Sequence, residues 1–212
     1  LLGAKNIPVR GGNRDYTVTV QNTDVLSINI DLSSPIGMGN LVVKPKQKGE
    51  TTVTVKDNVT NETVNLKIKI VDSYLNLKVA HPAQVPYSGG ENLFFINNSD
   101  RDFYLFDEKM EKKECTGNYQ FLIKNSTCYM ILNFDKELND KSTYEYNISN
   151  TSERMFTLIE ILLGVDWNMK ADLINKSTRS ASPVIMNAVD TETNLTQYFV
   201  AGSNDIPENI LD

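Results

Sequence analysis

Apolar and polar residues alternate through the first third of the chain, segment after segment. Tyr16, Val18 and Val20 alternate with Thr17 and Thr19. Leu26, Ile28, Ile30 and Leu32 alternate with Ser27, Asn29 and Asp31, and Leu41 and Val43 follow. Val53 and Val55 are set among Thr52, Thr54 and Lys56, and Val64, Leu66, Ile68 and Ile70 among Asn65, Lys67 and Lys69. A period of two predicts half-buried antiparallel strands, and several short strands at near-regular spacing predict a β-sandwich. The pattern stops at Val71, so Asp72-Ser73 is the expected boundary between a domain at 1–72 and a second at 73–212.

The second stretch follows a different grammar. Tyr74, Leu75, Leu77 and Val79 predict a strand. The segment His81-Pro82-Ala83-Gln84-Val85-Pro86-Tyr87-Ser88-Gly89-Gly90 is too rich in Pro and Gly for a strand interior. Leu93-Phe94-Phe95-Ile96 and Phe103-Tyr104-Leu105-Phe106 flank a polar tip and predict a hairpin. After a charged connector at 108–114, a second hairpin over 119–124 and 127–134 turns at Asn125-Ser126, and a strand follows at 143–148. Met155, Leu158, Ile159, Leu162 and Leu163 recur at helical spacing, with Thr151 or Ser152 to cap the start, Glu153 in the first turn and Gly164 to end the helix. A last hairpin is expected over 184–189 and 197–200, and Asp205-Ile206-Pro207-Glu208 reads as the start of a short helix. The expected fold is mostly β: a sandwich followed by an α+β domain, an antiparallel sheet with one packed helix.

The residues that carry the first pattern also carry a resemblance. Gly12-Asn13-Arg14-Asp15-Tyr16-Thr17-Val18, Asn22-Thr23-Asp24-Val25-Leu26-Ser27-Ile28, Asn40-Leu41-Val42-Val43-Lys44-Pro45 and Lys48-Gly49-Glu50-Thr51-Thr52-Val53-Thr54-Val55-Lys56-Asp57 together resemble the bacterial immunoglobulin-like domains of the group 2 type. The resemblance covers the N-terminal third and departs in the first strand, around Lys5 to Val9, which is short. It implies a display, spacer or adhesion module on an exported bacterial protein and no catalytic residues. Residues 73–212 carry no motif from which a family can be named.

Composition narrows the function. With 40% hydrophobic and 23% charged residues, the 212-residue chain has the make-up of an ordinary globular protein with room for two modest cores. A net charge of −6 argues against a nucleic-acid binder, which would show a basic face. No apolar run approaches the ~20 residues of a membrane span. Residue 1 is Leu rather than Met, which reads as a mature or trimmed chain, and a lipid anchor upstream of it would suit a surface lipoprotein. Eight Asn-x-Ser/Thr sequons, among them Asn58, Asn125 and Asn194, read as a by-product of an Asn- and Thr-rich composition in a bacterial chain.

Candidate chemistry is sparse. His81, the single histidine, stands beside Pro82 with no nucleophile motif to complete a triad. Asp100 and Asp102 sit at a hairpin tip where they could ligate calcium or simply form a solvated turn. Cys115 and Cys128 could pair in an oxidising compartment or serve as two small buried residues; the hairpin register sets Ile123 opposite Cys128 and leaves Cys115 far along the strand. There is no phosphate loop or dinucleotide fingerprint, and no cofactor is expected. Trp167, the single tryptophan, lies in Asp166-Trp167-Asn168, where an exposed ring beside polar groups would suit sugar or protein recognition and a ring folded back over the helix end would be structural. The expected function is therefore a non-catalytic cell-envelope protein that binds an extracellular polysaccharide or protein. A secreted carbohydrate-active or peptide hydrolase working through carboxylates, and a subunit of a surface assembly, are the alternatives.

Overall fold

In a computed structural model the described residues are 4–33, 38–167, 184–203, 205–207 and 210–211. The chain divides into two compact units, Leu1–Asp72 and Ser73–Asp212.

The described residues of the first unit form six strands: β1 (Lys5–Pro8), β2 (Tyr16–Val20), β3 (Leu26–Asp31), β4 (Asn40–Pro45), β5 (Gly49–Asp57) and β6 (Thr63–Ile70). They form two three-stranded antiparallel sheets, ordered β1-β4-β3 and β2-β5-β6. Alternation puts one apolar face of each sheet into a shared core, where Leu26 and Val43 from one sheet meet Val53 from the other, with Val18, Ile28, Leu66 and Ile68 packed around them. The short first strand is paired: Lys5 to Pro8 run antiparallel to Val43 to Asn40 on β4, with proline tolerated at the strand end on a sheet edge.

The second unit is an eight-stranded, closed antiparallel barrel with one helix. Its strands are β7 (Tyr74–Val79), β8 (Asn92–Ile96), β9 (Asp102–Phe106), β10 (Lys113–Lys124), β11 (Thr127–Leu138), β12 (Lys141–Asn147), β13 (Ile185–Asp190) and β14 (Thr196–Ala201). Each strand pairs with the next in the chain, and β14 returns to β7 through Phe199↔Val79, Val200↔Lys78 and Ala201↔Leu77. The expected antiparallel sheet is thus closed into a barrel without edges. Two hairpins are set by two-residue turns whose central residues all have positive φ, Asn125-Ser126 (48° and 63°) and Asn139-Asp140 (52° and 59°), the geometry that matches strand twist.

Parity fixes what points inward. Leu75, Leu77 and Val79 face the interior from β7, Leu93 and Phe95 from β8, and Phe103 and Leu105 from β9. The register carries the same face through Tyr119, Met130, Leu132, Phe134, Tyr144, Tyr146, Met186, Ala188 and Phe199. A barrel of eight strands encloses just enough room for such side chains. At Gly117, between Phe103 and Phe134 on the neighbouring strands, an added Cβ would lie 2.0 Å from the Asn133 carbonyl oxygen and 2.7 Å from the Phe103 ring. Glycine leaves those rings free to meet edge-to-face with centroids 5.0 Å apart.

The helix α1 (Glu153–Leu163) packs its apolar face against this core. Ser152 caps it, accepting from the Met155 amide, and Gly164 ends it at φ 64°. Its last carbonyls are taken up by the barrel: the Ser73 hydroxyl donates to the Leu162 oxygen at 2.6 Å, and the Arg101 guanidinium to the Leu163 oxygen. A cation at this end also suits the helix dipole. The buried face is Met155, Phe156, Ile159 and Leu163, turned from the expected stripe toward Phe156; Leu158 and Leu162 are half-buried, and Ile161 is 59% exposed. Residues 205–207 have no regular structure, so the short helix expected to begin at Asp205 is absent from the described residues, and Glu208 lies outside them.

Two outcomes follow from this architecture. Ile159→Ala and Leu163→Ala are each expected to destabilise the barrel by about 2–5 kcal/mol, and Leu158→Ala by about 1 kcal/mol or less, because truncation costs most where the site is fully packed. Denaturant unfolding followed by the fluorescence of Trp167, the single tryptophan, reads this unit alone. A fragment of residues 1–72 is expected to unfold cooperatively by circular dichroism, since its core draws on its own two sheets.

Candidate functional site

The predicted aromatic platform is not on the surface. Trp167 is 4% exposed, its indole N–H donates to the Phe156 carbonyl at 3.2 Å, and its ring meets Phe156 and Phe121 edge-to-face at 5.0 and 5.8 Å. Satisfying its single polar atom lets the whole ring bury, so of the two expected states Trp167 takes the structural one, folded back over the helix, and not the exposed one. Asp166 beside it is exposed, and Asn168 lies outside the described residues.

The other candidates take structural places. Asp102 closes the β8–β9 tip: its amide donates to the Asn98 side-chain oxygen at 3.0 Å, and its carboxylate accepts from the Asn98 side-chain amide at 2.7 Å. Asp100 accepts from the Ser99 hydroxyl at the same tip. Among the described residues no three His, Cys, Asp or Glu side chains gather as a metal site. Cys115 and Cys128 are not joined in a disulfide. With Ile123 opposite Cys128, eight rungs of strand, about 3.3 Å each, separate Cys115 from that position, far beyond disulfide reach. Burial pushes both thiols above their usual range, away from nucleophilic character. His81 is exposed, with its ring beside Gly89, where an added Cβ would lie 2.3 Å from it.

Buried polar groups gather instead at one end of the barrel interior, where sequence reading had placed nothing. The connection 80–91 inserts Tyr87, which is 6% exposed, against Phe199. Tyr144 and Tyr146 lie one above the other on β12 with their rings nearly parallel, and the Tyr146 hydroxyl is 3.5 Å from that of Tyr87. Burial drives the phenols of Tyr87 and Tyr146 far above the ordinary range, so both stay neutral. Gln197, buried on β14, accepts from the Gln84 amide at 2.7 Å and donates to the Ala80 and Tyr198 carbonyls. Glu91 accepts from the amides of Ser88 and Gly89. Asp190 ends β13 and accepts from the Glu192 and Thr193 amides and the Thr193 hydroxyl. The signal for this layer was present in the alternation itself, since Asp190 and Gln197 share parity with inward-facing neighbours.

A second feature lies on the outside of β10, β11 and β12, where three rungs line up across the strands. Asn118, Asn133 and Thr143 form a hydrogen-bonded row with both bonds at 3.0 Å. Beside it run Gln120, Ile131 and Glu145, then Leu122, Tyr129 and Asn147. Lys124 pairs with Glu145 at 3.5 Å and lies over the Tyr129 ring, so these two charges on the face cancel.

The fold defines the class: a closed, up-and-down antiparallel barrel with a packed helix, preceded by two small sheets. No family model matches the chain, and neither the curated proteins nor the solved structures include a significant match to it. Among the described residues no helix is long and apolar enough to cross a membrane.

The carboxylate at the barrel end predicts a pH effect. Burial raises the Asp190 pKa, but the Thr193 and Glu192 donors and the charge of Lys141 outweigh it, and the net shift is downward. A depressed folded-state value gives stability that is complete above the unfolded carboxylate value, about pH 4, and is lost as pH falls through the lower folded value. Asp190→Asn is expected to flatten this acid limb in melts recorded between neutral pH and the acid range.

Proposed function

We propose that the chain is a non-catalytic, exported cell-envelope protein in which an immunoglobulin-like N-terminal sandwich presents the barrel, and the barrel binds a neutral polysaccharide on its outer β10–β11–β12 face. The observation that carries the reading is the row Asn118–Asn133–Thr143 set beside the half-buried Tyr129 ring and Ile131. Amides and hydroxyls offer both donors and acceptors to sugar hydroxyls, and an aromatic ring offers a surface for the C–H face of a pyranose. The paired charges of Lys124 and Glu145 leave this face close to neutral within an acidic protein, which favours an uncharged ligand over a charged one.

Support for a binder rather than a catalyst comes from what the shifted acidic groups do. Asp31, Asp57 and Asp190 are held below their usual range by hydrogen bonds that close turns, and the raised phenols and thiols owe their shift to burial. Export is supported by the resemblance of the N-terminal third to modules that display other domains at bacterial surfaces; fold analogy is the warrant for that step.

The test is a glycan array followed by calorimetry on the full chain. A neutral glycan is expected to bind, with Tyr129→Ala and Asn133→Ala each weakening it about tenfold, roughly 1.4 kcal/mol. Equal binding by both variants removes the site, and turnover of any glycan or peptide by the wild type refutes the non-catalytic reading.

A further inference from the structure

Most interior side chains of the barrel are delivered by a strand or by the packed helix, but Tyr87 is delivered by the connection between β7 and β8. That connection hangs on polar bonds: the Ala80 amide to the Tyr198 carbonyl at 2.9 Å, the Gln84 amide to the Gln197 side chain at 2.7 Å, and the Ser88 and Gly89 amides to Glu91. Such bonds can be exchanged for water only when the segment lifts far enough to wet Gln197 and Glu91, which are 1% and 6% exposed as it lies. The tip of the connection is wet, with Val85 70% exposed. Burial of the Tyr87 ring, with Ala83 packed on the same core, adds to these bonds in holding the segment down.

That ring fits by shape and poorly by hydrogen bonding. It meets Phe199 edge-on, centroids 5.5 Å apart at 85°. Its hydroxyl has a single described partner, the Tyr146 hydroxyl, at 3.5 Å, against the usual 2.5–3.0 Å for such a pair. Tyr146 is 2% exposed and has no other hydrogen-bond partner among the described residues. Two buried phenols therefore share one long contact, a deficit that buried hydroxyls rarely tolerate.

We propose that this end of the barrel is a binding site for a small phenolic ligand, held shut by Tyr87, whose side chain occupies the ligand's place. The ligand enters as residues 80–91 swing outward. Its ring takes the edge of Phe199, and its hydroxyl, free of the tether that holds Tyr87 off, closes on Tyr146 at normal length. Because the competitor is part of the chain, the apparent affinity is the intrinsic affinity reduced by the fraction of molecules open. The site is independent of the outer glycan face, so either assignment can fail alone.

The probe is p-cresol, the tyrosine side chain as a free molecule, titrated into the full chain and read by NMR. Saturable binding is expected in the wild type, and binding about tenfold tighter or more in Tyr87→Ala, which removes the internal competitor. Tyr146→Phe is expected to weaken p-cresol while leaving toluene unchanged. In the wild type, saturating p-cresol is expected to speed hydrogen exchange at the Ala80 and Gln84 amides. A cooperatively folded Tyr87→Ala that does not bind p-cresol overturns the proposal. So does a wild type that fails to bind when Tyr87→Ala binds, which makes Tyr87 a permanent plug, and so does wild-type binding that leaves the Ala80 and Gln84 amides unchanged. If Tyr87→Ala does not fold, Tyr87→Leu takes its place, and the wild-type titration with its exchange readout still decides.

Discussion

The three-residue pairing of β14 with β7 is the constraint on which the second unit depends. Without it the eight strands are a meander with two open edges and one face too apolar for water. With it every strand has two neighbours, edges vanish, and the alternating face becomes an enclosed interior. That interior is packed with rings: Phe95 meets Tyr119 edge-on at 5.1 Å, Phe103 meets Phe134 at 5.0 Å, and Phe134 meets Tyr144 at 5.6 Å. Edge-to-face pairs contribute about 0.5–1.5 kcal/mol beyond their area burial, so the closed strand circle and the aromatic network stabilise each other.

The barrel treats different parts of its interior differently. Where the helix packs, the lining is apolar, and the contact is sealed by donors from Ser73 and Arg101 onto carbonyls that a helix cannot satisfy by itself. Where the connection 80–91 packs, polar side chains from strands and loop interlock, and buried Gln197 serves as donor and acceptor at once. The first arrangement closes the last carbonyls of the helix with donors from the barrel itself. The second contains groups that solvent can also satisfy, and that difference is where any opening would begin.

Much of the strand content was legible. The hairpin turning at Asn125-Ser126, with Ile123 opposite Cys128, falls where alternation and turn residues placed it, because period and positive-φ preference act locally. Closure was not legible: an open meander and a barrel share the same alternation, and only Phe199↔Val79 and its two neighbours distinguish them. The β11–β12 hairpin runs further than expected, since residues 135–137 are exposed and lack the apolar alternation that marks a strand, although Asn139-Asp140 is a turn signal in plain view. The helix was found but rotated, because the periodicity of Met155, Leu158 and Leu162 says nothing of the contact between Phe156 and Trp167 that sets its facing. The polar neighbours of Trp167 left both an exposed ring and one folded back over the helix end open; the Phe156 carbonyl, which accepts the indole N–H, goes with the second.

The order of strands along the chain has a consequence for biosynthesis. Because the closing strand is the last of the eight, a growing or translocating polypeptide that has produced β7 to β13 holds an incomplete cylinder with β7 and β13 unpaired on their outer sides. Those two edges are complementary to the same missing segment, and Thr196–Ala201 from another molecule could fill the gap as well as the native one. Local hairpins form fast, whereas the last pairing must join residues far apart in sequence, so the interval is set by the slowest step. High local concentration during that interval favours strand-swapped dimers, and a chaperone that shields either edge would suppress them.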